Sequence, residues 1–133
     1  HSECSMQTVR EIRSQLPHVK LIRAFHVTNS APIEKILQFE NEVDAILLDS
    51  INTETDQTGG TGKTHDWSIS RSVVAASKKP MILAGGLTCD NVEAAIAQVQ
   101  PFGVDVNSGV KDTNGTKDRA KLEQFISTVR SLT

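Results

Sequence analysis

Along this chain, apolar segments of strand length alternate with apolar stripes at helical spacing. The strand-like segments end in carboxylates or glycines. Val19 to Val27, Val43 to Leu48, Met81 to Ala84 and Val104 to Val106 read as strands. Helical stripes fall between and around them. Met6, Val9, Ile12 and Leu16 form one, with Ser5 as N-cap and Pro17 as its stop. Ile33, Ile36 and Leu37 form a second, opened by Asn29-Ser30-Ala31-Pro32. Trp67 to Lys78 carries Ile69, Val73 and Val74 on one face. Thr88 caps a helix with Val92, Ala95, Ile96 and Val99 inward, ended by Pro101. Asp118 caps the last, where Leu122, Phe125, Ile126 and Val129 align. Strand–helix alternation of this kind implies a parallel sheet with right-handed crossovers.

Two solutions satisfy that order: an open doubly wound sheet, or part of a (β/α)8 barrel. The first element is a helix, and four strands alone leave two unpaired sheet edges. A partial barrel of about four βα units preceded by a helix is therefore expected. It is either cut from a longer chain or closed by a partner, such as a missing amino-terminal half or a second copy. At 133 residues a single domain over 1–133 is the expectation, and the first residue is His1 rather than Met.

Charge narrows the partners. Fourteen basic against sixteen acidic residues leave a net charge near −2, which carries no nucleic-acid footprint. The chain has no apolar run of membrane-spanning length and no signal segment. Cys4 and Cys89 have neither metal-ligand spacing nor a disulfide framework, so no metal is expected and a reducing, cytoplasmic compartment is. Cys89 reads as an incidental thiol in the first turn of its helix. His26 and His65 read as isolated histidines.

The polar strand ends converge on one edge of such a sheet, the edge where α/β proteins do chemistry. Asp49 follows Ala45-Ile46-Leu47-Leu48 and is either a helix N-cap or a general acid or base. Residues 50–66 read as a long polar loop holding Gly59, Gly60 and Gly62, a surface loop or a lid over the site. Gly62-Lys63-Thr64 resembles the end of a nucleotide-binding P-loop. That motif needs glycine at position 57, where this chain has Gln57, and a strand directly before it. Gly85-Gly86-Leu87-Thr88 and Asn107-Ser108-Gly109 are turns that leave amides free for an anion. Asp105, between Val104 and Val106, reads as mid-strand. If it points inward, it needs a partner or a ligand hydroxyl.

Four stretches carry a more specific resemblance: DAILLDS at 44–50, GTGKTHDWS at 60–68 after Gly59, ILAGGLTCDNVEAAI at 82–96 and PFGVDVNSGVKD at 101–112, followed by Gly115 and Lys117-Asp118. As a set they resemble the phosphoribosylanthranilate isomerases, (β/α)8-barrel enzymes of tryptophan biosynthesis. The resemblance runs over essentially the whole chain, as the carboxy-terminal portion of the barrel. It implies an Amadori rearrangement of an aminoaldose phosphate to a ketose phosphate, with no cofactor and no metal. It implies that Asp49 is the general acid that opens the ribose ring. Gly85, Gly86, Ser108 and Gly109 would hold the phosphate. Asp105 and His1 would line the substrate pocket, with Gly59, Gly60 and Gly62 closing over it. The implied partner is a small phosphorylated sugar–anthranilate substrate.

Some positions depart from the family's pattern. Its general base is a cysteine on a strand this chain does not contain, and neither Cys4 nor Cys89 stands in its place. Asn107 and Lys111 replace a usual serine and glutamate, His65 a usual aromatic, and Cys89 a usual proline. The 133 residues alone are therefore expected to turn over little substrate. Two other readings stay open: a half barrel that only binds a sugar phosphate or depends on a partner, and a related sugar-phosphate isomerase.

Overall fold

The computed structural model describes residues 4–27, 33–50 and 66–132. Helix α1 (Met6–Gln15) leads into strand β1 (Ile22–Val27). Helix α2 (Ile33–Leu37) and a 3₁₀ turn (Glu40–Glu42) precede β2 (Ala45–Ser50). Then come α3 (Trp67–Ala76), β3 (Met81–Leu83), α4 (Val92–Val99), β4 (Gly103–Val104) and α5 (Arg119–Ser131).

The helices start where their caps dictate. Ser5, Asp66 and Asp118 each accept a backbone N–H of the first turn, from Thr8, Ser68 and Lys121. Helix α4 ends at Gln100 in the left-handed region (φ 54°), one residue before Pro101.

All four strands are parallel and lie side by side in chain order. A doubly wound sheet reverses its order at a switch point, whereas a barrel places each strand beside the one before it. The sequential order therefore selects the barrel solution, as a four-strand arc.

One face of the arc is dry. Ile46, Leu48 and Leu83 are fully buried and meet Val9, Ile36 and Val73 on one side and Val92, Ala95, Val99 and Phe125 on the other. Burying a side chain of this size contributes roughly 1.5–3 kcal/mol. The opposite face carries the alternate residues: Ile22, Ala24 and His26 on β1, Ala45, Leu47 and Asp49 on β2, Ile82 on β3. It is less covered, and Ile22 is 56% exposed.

Several boundaries differ from the sequence reading; among them β3 ends at Leu83 and α3 at Ala76. Strand β1 begins at Ile22, because the Leu21 N–H is taken by the Asp44 carboxylate at 2.9 Å rather than by a ladder. Strand β2 runs two residues later than expected, since pairing with β1 continues through His26–Asp49 and Val27–Ser50. Strand β4 is only Gly103–Val104. Asp105 lies just past it and is exposed, its N–H donating to the Leu83 carbonyl at 2.8 Å. The helix expected from Thr88 begins at Val92 with Asn91 as its N-cap. In α1 only Val9 is buried; Ile12 and Leu16 stay exposed, because β1 is a sheet edge and leaves that side of the helix unopposed.

Asp44 ties α1 to the sheet. Its carboxylate accepts from Arg13 at 2.5 Å, from the Leu21 N–H and from Lys20 at 3.0 Å. These donors, Arg13 first, hold its pKa well below the usual carboxylate range. A carboxyl lowered in the folded state stabilises the fold above its unfolded pKa of about 4, and that contribution fades as pH falls below it. Asp44→Asn is expected to lower the melting temperature at pH 7 and to flatten its decline between about pH 4 and pH 2. Thermal melts of both proteins across that range check this. Superimposable pH profiles refute it.

Candidate active site

The site forms at the carboxy-terminal ends of β2, β3 and β4. Asp49 is the penultimate residue of β2. Its neighbours Ile46 and Leu48 face the helices, so alternation aims Asp49 at the opposite face, where it is 7% exposed. His26 of β1 is its partner in the parallel register. On the other flank the ladder continues through the Ala84 N–H, which donates to the Leu48 carbonyl at 2.7 Å.

Beyond Ala84 the chain turns through Gly85 (φ 83°) and Gly86 (φ 67°), both left-handed, a conformation open to glycine at little cost. Asn91 stitches this turn together. It donates from Nδ2 to the Gly86 carbonyl at 2.9 Å and accepts from the Thr88 N–H at 2.8 Å. Its amide thus serves the glycine turn rather than capping its own helix.

The loop after β4 packs directly onto that turn. Gly109 forms a parallel bridge with Thr88. A Cβ at Gly109 would lie 1.9 Å from the Leu87 carbonyl oxygen, which no side chain can accept. Val110 is fully buried, and its carbonyl accepts from the Asp118 N–H at 2.8 Å. Lys117 braces the loop from outside, donating to the Asn107 carbonyl at 2.7 Å and to Asn107 Oδ1 at 3.0 Å. The two glycine turns thus form one surface, with the start of α4 behind it. Backbone amides near a helix start favour an anion there.

The structure therefore gathers Asp49, Gly85, Gly86, Ser108 and Gly109 at one sheet edge, with Asp105 on the same edge past β4. His1, Gly59, Gly60 and Gly62 lie outside the described residues, as does His65. Cys89 stands in the turn before α4 rather than in its first turn, and its thiol donates to the Lys121 carbonyl at 3.3 Å. Cys4 accepts from Arg23 at 3.0 Å on the helix side of β1. Among the described residues no three His, Cys, Asp or Glu side chains converge as a metal site requires. No helix among them is long and apolar enough to cross a membrane.

Sequence reasoning missed the roles of Asn91 and Lys117, and it took His26 as isolated. Asn91 was findable as an amide five residues after a Gly-Gly turn. The His26–Asp49 pairing depends on register between strands, which the local pattern does not encode.

A sequential parallel arc with helices on one face and its polar groups at the carboxy-terminal edge defines a segment of a (β/α)8 barrel. Residues 3–128 match the N-(5'-phosphoribosyl)anthranilate (PRA) isomerase family, and the chain belongs to that family. N-(5'-phosphoribosyl)anthranilate isomerase 2 of Methanosarcina mazei is 45% identical over 126 residues, covering 95% of this chain and 56% of the relative. The solved phosphoribosyl anthranilate isomerase of Thermotoga maritima superposes with a TM-score of 0.79 at 33% identity, over 97% of this chain and 58% of that one. A further solved isomerase, in complex with reduced 1-(o-carboxyphenylamino)-1-deoxyribulose 5-phosphate, superposes with a TM-score of 0.74 at 29% identity, over 97% of this chain and 56% of that one. The chain spans little more than half the length of these relatives.

Proposed function

We propose that this chain supplies the acid and the phosphate cradle of an isomerase acting on N-(5'-phosphoribosyl)anthranilate in tryptophan biosynthesis. The observation that carries the reading is the buried Asp49 carboxyl at the same sheet edge as the joined loops of Gly85-Gly86 and Ser108-Gly109. Family membership supports it, as does the sugar-phosphate compound held by a solved relative.

In this reading the phosphate of the substrate docks on the two turns, which fixes the ribose over the ends of β2 to β4. Asp49 gives its proton to the ribose ring oxygen. The C1′–O bond breaks, and the anilino nitrogen's lone pair forms an iminium with C1′. A general base then takes the C2′ proton, and the resulting enamine-type enol tautomerises to the ketose. Asp105, His1 and the glycines at 59, 60 and 62 line and cover the sugar. No metal or cofactor is needed for these proton transfers.

The base is a cysteine in the family's pattern, and these residues contain none in its position. A missing general base costs about 10²–10⁴-fold. The chain assayed by itself is expected to turn over substrate at least about a hundredfold more slowly than the same chain combined with the complementary half of the Methanosarcina mazei relative. Fluorescence of anthranilate-linked substrate and product follows the reaction. No turnover in the combined sample, with a folded sheet, rejects the reading. Full turnover by the 133 residues alone rejects the missing-base argument.

A further inference from the structure

Resting on the phosphate reading of the two turns, we propose that Lys117 is a positioning residue for the phosphate dianion, acting through the Asn107–Ser108 peptide without touching the ligand. Lys117 Nζ donates to the Asn107 carbonyl at 2.7 Å and to Asn107 Oδ1 at 3.0 Å. Two bonds to one residue hold an exposed, long side chain in place against its rotamer freedom. Among the described residues no carboxylate pairs with this ammonium. Its positive charge stands directly behind the loop.

Peptide geometry sets what that charge acts on. In a planar trans peptide the carbonyl and the following N–H point in opposite directions. The Asn107 carbonyl points at Lys117, so the Ser108 N–H points away from it. Among the described residues nothing accepts that N–H, while the Ser108 carbonyl is taken by the Lys111 N–H at 3.0 Å. The next residue, Gly109, is bridged to Thr88, so Ser108 lies at the seam between the two turns. A phosphate oxygen seated at the seam accepts from the Ser108 N–H. The ammonium on the carbonyl side polarises the same peptide group and strengthens that donor. Lys117 thus fixes the plane of the peptide and adds a positive charge one peptide group behind the anion.

A second lysine provides the comparison. Lys121 Nζ donates to the Lys111 carbonyl at 2.6 Å, on the same loop. The N–H of that peptide belongs to Asp112 and already donates to the Thr116 carbonyl at 2.8 Å. Both lysines are exposed, and both brace a loop carbonyl. Only Lys117 stands behind an N–H that a ligand can take. A general loss of charge or of loop stability would follow from removing either one.

Calorimetry of the 133-residue chain with inorganic phosphate tests this. Lys117→Met is expected to weaken binding about tenfold, the scale of one charge-assisted hydrogen bond. Lys117→Arg keeps the charge and two donors and should stay within about threefold of the parent. Lys121→Met should stay within about twofold, since its peptide N–H is already paired. Equal affinity of Lys117→Met and the parent overturns the proposal. So does an equal loss in the two Met variants, or a loss that Arg does not restore. A parent chain that binds no phosphate rejects the phosphate reading itself, and this proposal with it.

A second measurement needs no ligand. In the free chain, Lys117→Met is expected to move the Ser108 amide ¹⁵N resonance, and Lys121→Met to leave it in place. An unmoved Ser108 resonance in Lys117→Met overturns the peptide geometry whatever the affinities give. A moved resonance in a chain that binds no phosphate upholds the brace and counts against the phosphate reading alone.

Discussion

Asp49→Asn is expected to abolish the proposed ring opening and to leave the proposed phosphate cradle in place. The amide matches the carboxyl in shape, so β2 keeps its packing, with Ile46 and Leu48 still buried against the helices. What disappears is the acidic proton. A general acid typically contributes about 10²–10⁴-fold, and the variant of the combined enzyme should lose turnover by that factor. Its affinity for inorganic phosphate, read by calorimetry, should match that of the parent. Retained turnover removes Asp49 from the mechanism. Loss of turnover together with loss of phosphate affinity points instead to a damaged sheet edge.

Gly109→Ala should produce the other large effect, by a different route. The added methyl would meet the Leu87 carbonyl oxygen at 1.9 Å and the Thr88 Cα at 2.9 Å. Backbone atoms are the obstacle, so no side-chain rotation relieves the clash. The Thr88–Gly109 bridge must open. Overpacking of a tight site costs about 1–3 kcal/mol, and this contact lies at the severe end. Phosphate affinity should fall by at least about tenfold, because the two turns no longer share a surface. Gly103 is the control: a Cβ there meets nothing within 4 Å, so Gly103→Ala should leave both stability and affinity close to the parent. Chemical denaturation and calorimetry on the pair decide it. Similar behaviour of the two variants refutes the joined-turn description.

Much of the architecture was legible because it is written in local chemistry. Ser5 and Asp118 cap helices where a short oxygen-bearing side chain precedes an apolar stripe. The alternation of strand and helix patterns names the fold class, and the strand ends name the edge at which Asp49 and the glycines gather. Thr88 was misread because it looks like a cap, while its backbone is committed to Gly109, twenty-one residues away in the chain. Asp105 was misread as mid-strand because Val104 and Val106 flank it, although pairing with β3 ends at Val104. In each case the deciding contact joins segments that are far apart in sequence. The same holds for His26, whose neighbour is set by register. The resemblance supplied roles for His1, Gly59, Gly60 and Gly62 that stay proposals, since those residues fall outside the described structure.

The sequential strand order carries a consequence for how the molecule is made. Each strand pairs with the one synthesised just before it, and neighbouring helices pack as α2 on α3, α3 on α4 and α4 on α5. Among the described residues, every strand pairing joins consecutive strands of the chain. The arc can therefore lengthen one βα unit at a time as it leaves the ribosome, with low loop-closure cost at each step. Asp49 reaches its place before either glycine turn exists, and the turn after β3 stays half built until Gly109 arrives to lock it.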